Sequence, residues 1–192
     1  FFETKFDDPT FYADMKTVAE AGSETILFNV DTKADQDQDG RSLLGVFLKV
    51  FNEHLGYSSD HPHIANLERH LDKEGKLEEF HRQFEAAASE TWKDCRDAWE
   101  FRRDELIEAL TKTLGQSEAS VNKWVDGGEE NFSSTIENFA ECVRDYLATK
   151  PLTFRLFFLV DEVGAFIGTN SRLMLNLQTI TEQLGTICEG RA

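Results

Sequence analysis

Apolar residues along this chain follow two rhythms, a helical one over most of its length and a continuous one at two short stretches. Residues 9–21 read as a short helix, with Pro9 near its start and Gly22 as its stop. Glu24 to Asp31, ETILFNVD, is rich in β-favouring side chains and predicts a strand, followed by loop over 32–40. From Ser42 to about Gly56 the positions Leu43, Leu44, Phe47, Leu48, Val50, Phe51 and Leu55 form a broad apolar face, the mark of a well-buried helix. Between Ile64 and about Leu114 the spacing predicts some three amphipathic helices, with charged pairs at i,i+4 and breaks near Gly75 and Ser89.

A helix end at Gly115 and an N-cap at Ser117 open the next helix. It carries Val121, Trp124 and Val125, and Gly127-Gly128 is expected to stop it. Ser133 or Ser134 then caps a helix built on Ile136, Phe139, Val143 and Leu147, closed by Pro151. A second strand is predicted over about 153–160. The last helix, about Ser171 to Cys188, sets Leu173, Met174, Leu177, Ile180, Leu184 and Ile187 on one side. Parallel strands need a crossover of a dozen or more residues, far fewer than separate these two. The fold class expected is therefore α/β and predominantly helical: a partial parallel sheet contributed by 1–40 and 151–192, interrupted by a helical insertion over 41–150.

Composition narrows the function classes. A chain of 192 residues with 40% hydrophobic residues and 16 Phe has the material for a core, which argues against disorder over most of its length. A formal net charge of -16 opposes binding to a phosphate backbone, so direct nucleic-acid recognition is not expected. The same acidity suits a cytoplasmic protein or a surface facing a basic partner. No apolar run approaches the roughly 20 residues that span a bilayer, and no secretory leader pattern opens the chain. Phe1 at the start and Arg191-Ala192 directly after a helix suggest a segment of something longer. Cys95, Cys142 and Cys188 lack Cys-x-x-Cys spacing and read as reduced thiols.

The densest chemistry lies in Leu156-Phe157-Phe158-Leu159-Val160-Asp161-Glu162. An unbroken apolar run implies a strand buried on both faces, and its C-terminal edge is where open α/β sheets bind ligands. Two adjacent carboxylates there repel each other unless a cation or donors stabilise them. Mg²⁺ held through carboxylate, phosphates and water is the usual remedy. This is the layout of a Walker B element, in which the first carboxylate organises Mg²⁺ and the second polarises the attacking water. Its companion, the Gly-x-x-x-x-Gly-Lys-Ser/Thr loop that cradles phosphates, does not occur in the chain.

LFFLVDEVGAFIG from Leu156 to Gly168 and LMLNLQTITEQLG from Leu173 to Gly185 together resemble the Walker B strand and following helix of one family. That family is the large P-loop ATPase component of bacteriophage-exclusion (BREX) defence systems, the BrxC/PglY family. ILFNVDTKA from Ile26 to Ala34 is similar to the family's strand after the P-loop helix, and FLKVFNE from Phe47 to Glu53 to its next helix. The similarity runs from about residue 24 to the end and is most specific in its C-terminal block. It implies an AAA+-like P-loop fold in which the two strands pair in parallel. Asp161 would organise Mg²⁺ through water, and Glu162 would be the catalytic, water-orienting carboxylate. ATP and Mg²⁺ would be the cofactors of the intact protein, and other phage-exclusion proteins its partners, with homo-oligomerisation as an option. The phosphate loop would lie upstream of Phe1 and the sensor and arginine finger downstream of Ala192. The chain alone would then be incompetent in catalysis, and one edge of the Asp161 strand would stand exposed.

The remaining constellations favour plainer readings. Asp35-Gln36-Asp37-Gln38-Asp39-Gly40 imitates half an EF-hand loop, but Val46 stands where the bidentate Glu belongs, so an acidic loop is expected. His54, His61, His63 and His70 surround a turn without the spacing of a zinc site. Ser58 and Ser59 beside Asp60 and His61 lack a nucleophile elbow. Trp92, Trp99 and Phe101 fall at near-helical spacing and are expected in a core. Lys93, Arg96, Arg102 and Arg103 are offset by Asp94, Asp97, Glu100 and Asp104. The competing function is thus a non-enzymatic acidic helical module for protein–protein docking, in which Asp161-Glu162 merely ends a strand.

Overall fold

The computed structural model describes residues 8–30, 43–131 and 133–192. In chain order the elements are α1 (Pro9–Glu20), β1 (Ser23–Asn29), α2 (Leu43–Leu55), α3 (Pro62–Lys73), α4 (Leu77–Ala88) and the single turn α5 (Trp92–Cys95). A 3₁₀ segment (Arg96–Arg102) follows, then α6 (Arg103–Leu114), α7 (Glu118–Asn131), α8 (Ile136–Ala148), β2 (Arg155–Asp161), the short α9 (Val163–Ile167) and α10 (Ser171–Ile187). The described residues are mostly helical, with one two-stranded parallel sheet in which Ser23 pairs with Arg155 and Asn29 with Asp161. The expected loop at 32–40 and its EF-hand-like half fall outside the described residues.

Local chemistry explains most boundaries. Asp8 caps α1, accepting from the Thr10 and Phe11 amides at 2.9 and 3.3 Å. Helix α4 ends at Ser89 (φ 58) and α6 at Gly115 (φ 65), both left-handed. Two expected boundaries move. Helix α7 continues through Gly127-Gly128 to Asn131. Two glycines cost about 2 kcal/mol relative to alanine, while buried Val121 and Val125 and the 2.5 Å ion pair between Arg103 and Asp126 favour continuation. The cap of α8 is Thr135, whose Oγ1 accepts from the Asn138 amide at 3.1 Å, instead of Ser133 or Ser134. Starting there turns Phe139, Ala140, Val143 and Leu147 inward.

The chain divides into two compact units, Phe1–Val46 with Thr135–Ala192, and Phe47–Ser134. The division expected from sequence put 41–150 into the insertion, whereas α8 belongs with the strands. The reason is in its side chains. Phe139 stacks edge-on against Phe158 of β2 at 6.0 Å between ring centroids. The Tyr146 hydroxyl donates to Glu24 of β1, and Lys150 Nζ approaches the same carboxylate at 3.1 Å. Within this strand-bearing unit α10 packs along α8, and the Cys188 thiol donates to the Ala140 carbonyl. Arg191 donates to the carbonyls of Leu147 and Pro151, both at 2.8 Å, and its own carbonyl accepts from the Leu156 amide at 2.9 Å. One amide on the expected open edge of β2, that of Leu156, is thereby paired.

The helical unit is built differently. Leu71, Phe80, Phe84, Trp92, Leu106 and Leu110 are fully buried in one apolar cluster to which α3, α4, α5, α6 and α7 all contribute. Trp92 meets Phe80 and Phe84 edge-on, with centroids 5.1 and 5.0 Å apart. Trp99 joins this core, but Phe101, expected with it, is 89% exposed. Ala98 breaks the helical path (φ -131, ψ 36), so the spacing that would bring residue 101 inward is lost.

Candidate functional site

Strand β2 is not buried on both faces, contrary to the reading of its apolar run. Burial alternates: Leu156 is buried and Phe158 and Val160 half-buried, whereas Phe157 and Leu159 are exposed. On β1 the same alternation buries Ile26 and Phe28 and leaves Leu27 72% exposed. The register pairs Leu27 with Leu159 and Thr25 with Phe157, so one face of the sheet is closed and the other open.

This sheet delivers Asp161 as its last residue and Glu162 immediately after it. Asp161 Oδ1 accepts from the Glu162 amide at 2.8 Å, which turns the chain sharply out of the strand. Glu162 adopts the left-handed conformation (φ 60, ψ 18). For a side chain other than glycine this costs roughly 1–2 kcal/mol, and such positions cluster at functional sites. Its carbonyl accepts from the Phe166 amide at 3.0 Å, opening α9, while buried Phe166 and Ile167 anchor that turn. Asn170 then caps α10 through the Arg172 and Leu173 amides at 3.1 and 3.3 Å.

Both carboxylates are exposed to solvent. Water therefore reaches both side chains, contrary to the buried setting that the apolar run implied. The register adds a neighbour that sequence reading did not single out: Asn29 ends β1 directly opposite Asp161. Its signal was visible as a polar residue closing an apolar run, but only the strand pairing makes it meaningful.

Asp161 spends one carboxylate oxygen on the turn, so a cation beside it could be reached directly through its other oxygen or through water. Among the described residues no group of three or more His, Cys, Asp or Glu side chains is arranged to ligate a metal directly. Nor do the described residues include a Gly-x-x-x-x-Gly-Lys-Ser/Thr phosphate-cradling loop. No protein-family model matches the chain, and no solved structure matches it.

The other sequence candidates lie in the helical unit and are structural in their contacts. Ser58 is fully buried, and its Oγ accepts from the His61 amide at 3.3 Å. His61 Nε2 lies 3.1 Å from the Asp97 carbonyl, His63 packs edge-on against Trp99 at 5.6 Å, and His54 and His70 are exposed. Lys49 lies 2.7 Å from Asp60 and holds its carboxyl below the usual range. The sequence reading missed Glu68. This buried carboxylate accepts from the Ser58 amide at 2.6 Å, from Trp92 Nε1 at 2.8 Å and from Arg96 at 3.1 Å. Arg96 also donates to the Gly56 carbonyl at 2.7 Å. Its signal was an acid on the apolar face shared by Ile64, Leu67 and Leu71.

The three cysteines are free thiols. Burial pushes the Cys188 thiol up to about 11, and burial followed by the Glu90 carboxylate raises that of Cys95. No helix among the described residues is long and apolar enough to cross a membrane.

Proposed function

We propose that this chain is a segment of an ATP-hydrolysing P-loop protein of the BREX phage-resistance type, with Asp161 and Glu162 as its Walker B pair. The observation that carries the reading is the parallel pairing of β1 with β2, with Asp161 at the C-terminal edge and Glu162 at the sharp turn beyond it. In this reading Asp161 holds the water shell of Mg²⁺ and Glu162 orients the attacking water. The strained backbone at Glu162 is compatible with a position kept for chemistry. The remaining P-loop elements, the phosphate loop included, belong to sequence outside the chain. ATP with Mg²⁺ is the cofactor, the protein is cytoplasmic, and its partners are other phage-exclusion proteins.

A second reading is favoured by the exposure of both carboxylates, which an ordinary solvated strand end would also show. In that reading the acidic helices dock a protein partner and there is no catalysis.

The test is Mg²⁺-dependent ATP turnover by the longer protein carrying this segment together with a phosphate-binding loop, wild type against Glu162→Gln. The substitution keeps the left-handed residue's size and strain, so the fold is retained. Turnover reduced by about 10²-fold or more, with ATP binding kept, supports the Walker B assignment; the size follows the losses seen when one group acting in the transition state is removed. Equal rates would leave the docking module as the function.

A further inference from the structure

We draw no further inference here: the strongest candidate, the open face of the two-stranded sheet formed by Thr25, Leu27, Phe157 and Leu159, is an apolar surface for which nothing in the structure shows what covers it.

Discussion

The two units of this chain handle apolar surface in opposite ways. The helical unit gathers most of its large apolar side chains into buried positions, many in one cluster, and among its described residues Phe101 and Trp124 are the exposed large apolar ones. The strand-bearing unit exposes Leu27, Leu152, Phe157, Leu159, Met174 and Leu175, among others. Sequence composition does not separate them, since both are rich in Leu and Phe. Architecture does. Five helices can enclose a core from all sides, whereas two strands covered by helices on one face leave the other face to water. A helical insertion can therefore be complete in itself while the sheet that hosts it is not, as expected if the sheet belongs to a larger parallel array.

The contrast can be broken most severely inside the helical unit. Glu68→Ala strands Arg96 and the Trp92 N–H in an apolar setting, and removing one partner of a buried ion pair costs about 3–5 kcal/mol. All 3 tryptophans, Trp92, Trp99 and Trp124, lie in this unit, so tryptophan fluorescence in urea reports it selectively. The expected result is a large fall in the midpoint of that transition with alkylation of Cys188, in the other unit, unchanged. A midpoint within error of wild type would mean that the network carries no weight.

Next in size is a pair of substitutions on β2. Leu156→Ala opens a cavity on the closed face and should cost about 2–4 kcal/mol. Leu159→Ser, three residues on and half exposed, should stay within about 0.5 kcal/mol. Cys188 protection against alkylation in increasing urea measures both. Equal losses would show that the face drawn as open is in fact covered.

A further effect is a pH dependence of the strand-bearing unit, seen only at alkaline pH. The folded state keeps the Cys188 proton up to about pH 11, whereas an unfolded thiol releases it near 8.5. The folded state thus binds the proton more tightly. That stabilisation is complete below about pH 8.5 and is lost as pH rises through about 11. Calorimetric melting of wild type and Cys188→Ala should give a difference that shifts against the wild type over that interval. A constant difference would contradict the burial assigned to the thiol.

Much of this was legible beforehand, for reasons that can be named. Helical periodicity placed α2, α3, α4, α6 and α10, because their apolar positions recur at the spacing of one buried face, and Gly75, Ser89 and Gly115 punctuate them where left-handed residues end a turn. The two strands and their parallel pairing were also anticipated, with ends displaced by one or two residues. Burial on β2 was not legible. LFFLV reads the same whether one face or two are covered, since nothing in the run marks which neighbours are present. The caps of α8 escaped because Ser133, Ser134 and Thr135 offer equivalent hydroxyls, and only packing of Phe139 and Val143 selects among them. At the candidate site Asp161 and Glu162 were visible as residues, while the left-handed turn between strand and α9, and Asn29 across from Asp161, required the register.

Native-state hydrogen exchange resolved by peptide is the most direct test of the contrast between a closed and an unfinished unit. The amides of β1 and β2 should exchange through openings of markedly lower free energy than those of α3, α4 and α6, whose side chains close the helical core. Protection of the two strands equal to or greater than that of these helices would contradict the account. It would mean that the two-stranded sheet is as well closed as the helical core, and that the contrast between the two units does not hold.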